Sequence, residues 1–174
     1  MPVYFDVETQ NTFQEVGGYH PERLRISVAV TYNTVDQAFH RYTEANLDAL
    51  MTELQNADLI VGFNLYGFDY PVVACYTDIK LNELPTVDMM VKLEQQLGFR
   101  VSLDAVASAT LGIGKSADGL QAVRWWREGR IEDIFKYCEQ DVDVTRQVYE
   151  FGKQYRYVQF YDRQFRLRKI PAAW

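Results

Sequence analysis

Two acidic residues interrupt the first apolar stretch of the chain, and this feature constrains the fold more than any other. Residues 3–8 have the composition of a β-strand. Asp6 and Glu8 are two positions apart, so both side chains leave the same face of such a strand. Burying two carboxylates is costly unless a cation neutralises them, and hard divalent ions prefer oxygen ligands. The sequence therefore predicts either a metal site here or a strand with one solvent-exposed face.

The first half of the chain has mostly the alternation of β-strands. Residues 10–22 contain Gly-Gly and Pro and are predicted to be a loop. Strands over 23–32 and 37–42 follow closely, which predicts an antiparallel meander with the first strand. The apolar spacing then becomes helical, with Thr43 as a suitable N-cap. Residues 58–63 are almost wholly apolar, which is typical of a strand buried on both faces.

The second half is mainly helical. Helices are predicted over 68–76, 91–97, 103–111, 120–128 and 131–151, with a strand over 85–90. Ser102 is a suitable N-cap, and Gly98, Gly112 and Gly152 are the predicted helix ends. Residues 153–170 alternate again and predict a β-hairpin that turns near Asp162. The whole pattern predicts an α/β fold with a mixed sheet.

Two further acids stand at positions where ligands bind in α/β proteins. Asp69 follows the predicted buried strand and begins the next helix, where negative charge is favourable. By itself it is equally well explained as an N-cap. Tyr137 and Asp141 are four positions apart and share one helix face, although Asp141 alone could be an ordinary helix acid. Glu139 and Asp143 point elsewhere and are expected to be solvated.

Three short motifs, in order, resemble those of the DEDD superfamily of exonucleases. Residues 5–9, Phe-Asp-Val-Glu-Thr, match the first motif. The segment from Asn64 to Asp69 matches the second, in the form seen in the proofreading domains of family B DNA polymerases. Tyr137 and Asp141 match the third, in the tyrosine-bearing subgroup. Each motif alone is weak, but the ordered set spans most of the chain.

The tyrosine-bearing subgroup is favoured because the two histidines, His20 and His40, lie far upstream of the third motif. The resemblance implies a ribonuclease H-like fold. In that fold an antiparallel three-strand meander and parallel strands form one mixed sheet, which helices flank.

The resemblance also implies the chemistry, which is hydrolysis of phosphodiester bonds at 3′ ends with two divalent ions, Mg²⁺ or Mn²⁺. Asp6 would bridge both ions. Glu8 and Asp141 would hold the ion that carries the attacking water, and Asp69 would support the other ion. Tyr137 would orient that water, because a phenol with a pKa of about 10 is a poor base at neutral pH.

Substrate contacts are implied for Thr9, Asn64, Phe68 and Lys115, although Phe68 equally suits the core. Lys115 also belongs to a relaxed phosphate-loop pattern. A true phosphate loop follows a buried strand, whereas residues 103–111 have helical spacing. A helix end and a turn are therefore predicted there, and Lys115 remains a candidate phosphate contact.

Charge and cysteine content limit the remaining possibilities. The net charge of −6 is unevenly spread, since residues 153–174 hold six basic residues and one acid. Bound cations would allow the acidic remainder to accept phosphates. Cys75 and Cys138 do not form a disulfide framework, so a cytoplasmic location is predicted. We expect no membrane span and see no secretory signal at the start.

Two aromatic regions have two interpretations each. Trp125 and Trp126 lie among arginines and could stack on single-stranded bases, but such a pair more often puts one ring in the core. The aromatic, basic tail after residue 152 could bind a strand. It could equally be an edge hairpin whose charges deter aggregation.

The predicted function is a 3′→5′ exonuclease acting on single-stranded DNA. Residues 1–152 would form the nuclease domain, with 153–174 packed on it. Trimming of RNA 3′ ends is the alternative within the same class, and an inactive nucleic-acid-binding module is the alternative from another class. A helicase or polymerase is the expected protein partner; neither a membrane nor an organic cofactor is expected.

Overall fold

A computed structural model describes residues 1–114 and 119–174. The main sheet is formed by β1 (Pro2–Thr9), β2 (Ile26–Asn33), β3 (Ala38–Tyr42), β4 (Leu59–Gly62) and β5 (Thr86–Asp88), in the order β3-β2-β1-β4-β5. β1, β2 and β3 pair antiparallel, whereas β4 and β5 run parallel to β1. The predicted meander and mixed sheet are confirmed.

Helices cover both faces of this sheet. They are α1 (Leu47–Asn56), α2 (Tyr70–Ala74), α3 (Met89–Leu97), α4 (Leu103–Leu111), α5 (Gly119–Arg127) and α6 (Ile131–Tyr155). α1 and α2 pack on one face, and α3 to α6 pack on the other. The central strands are therefore apolar on both sides, as expected for strands between two helical layers.

Four of the five predicted helix-end residues are confirmed. The Thr43 side chain accepts from the Ala45 N–H, just before α1. Ser102 does the same for Ala105 at the start of α4. α3 and α4 end at Gly98 and Gly112, whose φ angles are +75° and +70°, values that glycine adopts without the steric penalty of a Cβ.

Strand β1 directs its acids towards the longest helix. Val3, Phe5 and Val7 belong to the core on the α1–α2 face, whereas Tyr4 belongs to the core that α6 helps to form. Asp6 and Glu8 share the face of Tyr4 because side chains alternate along a strand. This face is covered rather than open to solvent, and Glu8 is only 8% exposed.

Two element boundaries differ from the predictions because of local backbone geometry. β2 begins at Ile26 rather than at residue 23, since Pro21–Arg23 form a 3₁₀ turn and Arg25 has a φ of +57°. The predicted helix over 68–76 is shorter. Leu65–Asp69 wind as a wide π-type turn, and α2 follows from Tyr70 to Ala74.

Helix α6 does not end at Gly152 as predicted but continues to Tyr155. Gly152 instead has a packing role inside the helix. A Cβ on Gly152 would lie 2.2 Å from the ring of Trp174, so the glycine makes room for the indole. The Trp174 indole N–H also donates to the Tyr149 carbonyl at 3.1 Å. Gly152 therefore lies inside the helix, where its lack of a side chain lets the Trp174 ring pack against the backbone.

The chain closes with the predicted hairpin, formed by β6 (Tyr157–Tyr161) and β7 (Leu167–Pro171) around a turn that starts at Asp162. Buried Val158 and Ile170 join the core beside α6. The Thr110 hydroxyl of α4 accepts from the Gln159 N–H and donates to the Gln159 carbonyl. Among the described helices, none is long and apolar enough to cross a membrane.

Candidate active site

Three carboxylates from two elements meet where β1 passes under α6. One ligand atom each from Asp6, Glu8 and Asp141 lies within 4.8 Å of the others. The strand period of two places Asp6 and Glu8 side by side. Asp141 comes from α6, which packs across β1 and β2. These three side chains form the carboxylate cluster, and oxygen donors at this spacing suit a hard divalent cation.

Asp69 lies next to this cluster but outside the 4.8 Å group. It is 1% exposed, and its carboxylate accepts the Val7 N–H at 3.0 Å. The simple N-cap interpretation does not describe it, because its side chain makes no capping hydrogen bond to α2. The hydrogen bond to β1 instead holds Asp69 against the strand segment between Asp6 and Glu8.

Burial and mutual repulsion disfavour negative charge at this site. The pKa values of Asp6, Glu8 and Asp69 are raised well above their usual range, first by desolvation and then by neighbouring carboxylates. For Asp6 the principal repelling neighbour is Asp141, and for Glu8 it is Asp6. A bound cation would remove both penalties. The donor set therefore fits a divalent metal ion.

Tyr137 lies one helical turn before Asp141 and is partly buried, with its phenol close to the Glu8 and Asp141 carboxylates. Burial and the nearby carboxylates, with Glu8 and Asp141 the largest contributors, raise the pKa of this phenol. Tyr137 therefore keeps its proton at neutral pH. The ring packs edge-on against Trp125, with centroids 6.3 Å apart, which fixes the direction of the hydroxyl.

Two polar residues that support the site were not predicted. The buried Cys138 thiol donates to the Asp6 carboxylate at 3.4 Å. Asp88, at the end of β5, accepts the N–H groups of Asn64 and Tyr66 at 2.8 and 3.0 Å, and so anchors the turn that leads to Asp69. The signal for Asp88 was present, since an aspartate directly before a helix is a typical N-cap. Cys138 gave no such signal.

A cavity of about 310 Å³ adjoins the carboxylate cluster. Glu8 and Thr9 line it on the side of β1, and Phe13 and Phe68 line it with aromatic surface. Phe68 also packs against the core, with its ring centroid 6.0 Å from that of Phe13. Phe68 is therefore both a core residue and a wall of the cavity, and its contact with substrate stays a prediction.

Asn64, another predicted substrate contact, does not line this cavity. Asn64 has a φ of +73°, and its side-chain oxygen lies so close to Gly67 that a Cβ there would be 2.4 Å away. This packing directs the Asn64 amide into its own turn. Lys115 lies outside the described residues.

The remaining predictions have mixed outcomes. The relaxed phosphate-loop pattern around Lys115 follows helix α4, as expected, although its last residues fall outside the described part of the chain. Trp125 and Trp126 are both partly buried and both pack on the core. They therefore fit neither an exposed surface for stacking bases nor a pair with one ring in the core and the other at the surface. Glu139 and Asp143 are ion-paired rather than simply solvated, with Arg41 and Arg146 at 2.6 Å.

Comparison with known families identifies the superfamily of the chain. Residues 3–151 match the sequence profile of the RNase H superfamily. The chain belongs to this superfamily. Its ribonuclease H-like fold, with a mixed five-stranded sheet between helices, is the predicted one. Among curated proteins, none matches the chain by sequence.

Two solved structures share the fold. One is a family B DNA polymerase from the hyperthermophilic archaeon Pyrobaculum calidifontis, with a TM-score of 0.60 and 19% identity over 87% of this chain. The other is RNase D from Trypanosoma brucei, with a TM-score of 0.62 and 14% identity over 86% of this chain. The match covers 24% of the polymerase and 56% of the RNase D chain, so the chain corresponds to only part of each.

Proposed function

We propose that this protein is a metal-dependent 3′→5′ exonuclease of the tyrosine-bearing DEDD type. The convergence of Asp6, Glu8 and Asp141 within 4.8 Å, on elements far apart in sequence, is the observation that carries the proposal. Membership of a nuclease superfamily adds the reaction class, and the ordered motifs add the 3′ end.

Each residue has a distinct task in this proposal. Asp6, Glu8 and Asp141 would hold divalent ions, Mg²⁺ or Mn²⁺, with Asp69 completing the site from the α2 side. Such ions supply an activated water and stabilise the leaving oxygen. Tyr137 remains protonated beside Glu8 and Asp141, so it would orient the attacking water and would not act as a base.

The terminal nucleoside would occupy the cavity beside Glu8. The Phe13 and Phe68 rings offer it apolar surface, while Thr9 and Asn11 add polar groups. This cavity lies directly next to the carboxylates, which is where the end of a strand must lie for the last phosphodiester bond to be hydrolysed. The arrangement therefore favours attack at an end over attack within a strand.

Single-stranded DNA is the proposed substrate, because the second motif resembles that of polymerase proofreading domains. The similarity to RNase D favours a second candidate, trimming of RNA 3′ ends. Delivery of the substrate by a helicase or polymerase partner, in the cytoplasm, completes the proposal.

The test is digestion of 5′-labelled DNA and RNA, single- and double-stranded, in Mg²⁺ and in Mn²⁺. A ladder of shortening products is expected with wild type and Asp143→Asn, and none with Asp6→Ala. Asp143 is a suitable control because it lies on the same helix as Asp141 but pairs with Arg146. Internal cuts, or full activity of Asp6→Ala, would contradict the proposal. Binding without digestion by wild type would instead identify a binding module.

A further inference from the structure

The C-terminal hairpin exposes an unusual amount of apolar ring surface. Its inner side is buried through Val158, Phe160 and Ile170. On the outer side, Tyr161 is 54% exposed and pairs with Leu167, and at the turn Phe165 is 87% exposed. We call Tyr157, Tyr161, Phe165, Leu167 and Lys169, with Arg163 at the turn, the outer face of the hairpin.

The charge of this region is positive and largely uncompensated. Asp162 is the one acid among residues 153–174, and its carboxylate binds Arg166 and Arg168 at 3.0 and 2.9 Å. Within residues 1–114 and 119–174, no carboxylate lies within ion-pairing distance of Arg163 or Arg156. Lys169 lies 3.8 Å from the centroid of the Tyr157 ring. Cations thus alternate with exposed rings.

Protection against aggregation explains the charges but not the rings. Charged residues suffice to block a strand edge. The β6 edge is in any case bonded to Thr110 of α4 at Gln159. A phenylalanine exposed at the tip of a turn contributes nothing to such protection, and clustered exposed apolar surface marks an interaction site. Stacking rings interleaved with cations match the chemistry of single-stranded nucleic acid.

A cavity lies beneath the tip of the hairpin. Its volume is about 460 Å³, and Phe99, Arg100, Tyr161 and Arg163 are among the residues that line it. Two arginines and two exposed rings around one concave surface provide phosphate contacts and stacking surface together. This is the part of the hairpin best able to hold one nucleotide.

We propose that the outer face of the hairpin, with this cavity, binds single-stranded nucleic acid upstream of the 3′ end held at the carboxylate cluster. The inference rests on the proposed function for the identity of its ligand. β6 contacts the C-terminal part of α4 at Thr110, whereas the tip lies beside Ser102 at the other end. The nine residues of α4 span about 13 Å.

This separation determines which part of a bound nucleic-acid strand would meet each site. After α4 the chain returns to the site at Gly119, beside Glu8. The tip of the hairpin lies at the end of α4 opposite the one from which the chain leads to Gly119, so a nucleotide bound there would belong to the strand several positions before its 3′ end. Long strands would reach both sites, while a trinucleotide would reach only the carboxylates.

The test compares Arg163→Ala with Phe165→Ala, as a double variant, against the control pair Val35→Ala with Lys80→Ala. The control also removes one exposed apolar side chain and one exposed cation, but far from the hairpin. Both double variants are made in the wild-type protein for cleavage assays and in the Asp6→Asn protein for binding assays. Fluorescence anisotropy then measures affinity for a 20-nucleotide single strand at several salt concentrations and for a trinucleotide.

We expect the hairpin variant to bind the long strand about tenfold more weakly and with a shallower salt dependence. Trinucleotide affinity and the control pair should be unchanged. Unchanged long-strand affinity, or equal losses on both substrates, would overturn the proposal. A change in oligomeric state in place of a change in strand affinity would also overturn it, since the face would then be a protein interface.

The two proposals can fail separately. A wild type that digests nothing, but whose strand binding depends on Arg163 and Phe165, would refute the nuclease and keep the hairpin. If the hairpin variant digests long strands as fast as wild type, the proposal for the hairpin is refuted and the proposed nuclease function stands.

Discussion

The carboxylate cluster and the hairpin each concentrate charge of one sign, but in opposite surroundings. At the cluster, Glu8 and Asp69 are almost fully buried, and burial raises their pKa values. At the hairpin, the side chains of Arg166 and Arg168 are 61% and 49% exposed. Like charges in water cost little because solvent screens them, whereas buried like charges require a compensating ligand. Burial, more than the number of charges, therefore explains why the carboxylate cluster requires a bound ligand and the hairpin does not.

Removing one acid should show this difference most clearly. We expect Asp6→Asn to reduce nuclease activity by about 10³-fold. In metal-free buffer it should raise the free energy of unfolding by about 1 kcal/mol, since it relieves repulsion from Asp141. Thermal melting with and without Mn²⁺ measures both effects on stability. A variant that loses stability without metal, or that Mn²⁺ still stabilises like wild type, would contradict this account.

A change at the Gly152–Trp174 contact should separate stability from chemistry. Gly152→Val places a side chain where the indole lies, and such overpacking costs about 1–3 kcal/mol. Urea denaturation measures this cost, with exposed Gln154→Val as the control on the same helix. Because Asp141 lies about three turns earlier, stabilisation by Mn²⁺ should persist. Equal stability of the two variants would show that the indole is not held there.

A subtler change within the cluster removes only one hydroxyl. Tyr137→Phe deletes the hydroxyl beside Glu8 and Asp141 and keeps the ring against Trp125. We expect kcat to fall about tenfold, with KM and the melting shift in Mn²⁺ nearly unchanged. If the pH profile of kcat instead loses a basic limb, Tyr137 is a titrating base and the positioning role is wrong.

The smallest expected effect is at the hairpin. Hydrogen bonds from the Arg166 backbone and from arginine side chains hold the pKa of Asp162 below its usual range. The ionised form is thus favoured on folding, so Asp162 stabilises the protein above its usual pKa and loses this effect as pH falls. Asp162→Asn should slightly lower the melting temperature at pH 7, and the difference should shrink below about pH 4. A pH-independent difference would indicate another cause.

Sequence patterns predicted the element types well because local rules determine them. The strand period placed Asp6 and Glu8 on one face, and N-cap and glycine signals set the ends of α4. The misses depend on contacts between distant segments. Gly152 has the local signal of a helix end, and its contact with Trp174, 22 residues later, explains why a glycine stands inside the helix instead.

The candidate site was less predictable than the fold. That Asp141 meets Asp6 was implied by the ordered motifs and by no local rule. The Cys138 thiol beside Asp6 depends on the rotation of α6 over β1, which periodicity does not specify to within a few ångströms. Asp69 had an adequate local explanation as an N-cap, and its bond to Val7 emerges only in three dimensions.

The span of chain between the two halves of the cluster has a consequence for synthesis. Asp6 and its neighbour Cys138 are 132 residues apart, and contacts of such separation form late in folding. On the ribosome, β1 emerges early and must wait for α6 before the acids are assembled. An incomplete nascent chain, or one that has misfolded before α6 docks, would therefore carry the acids without the geometry that joins them. Assembly of the site reports that nearly the whole domain has folded.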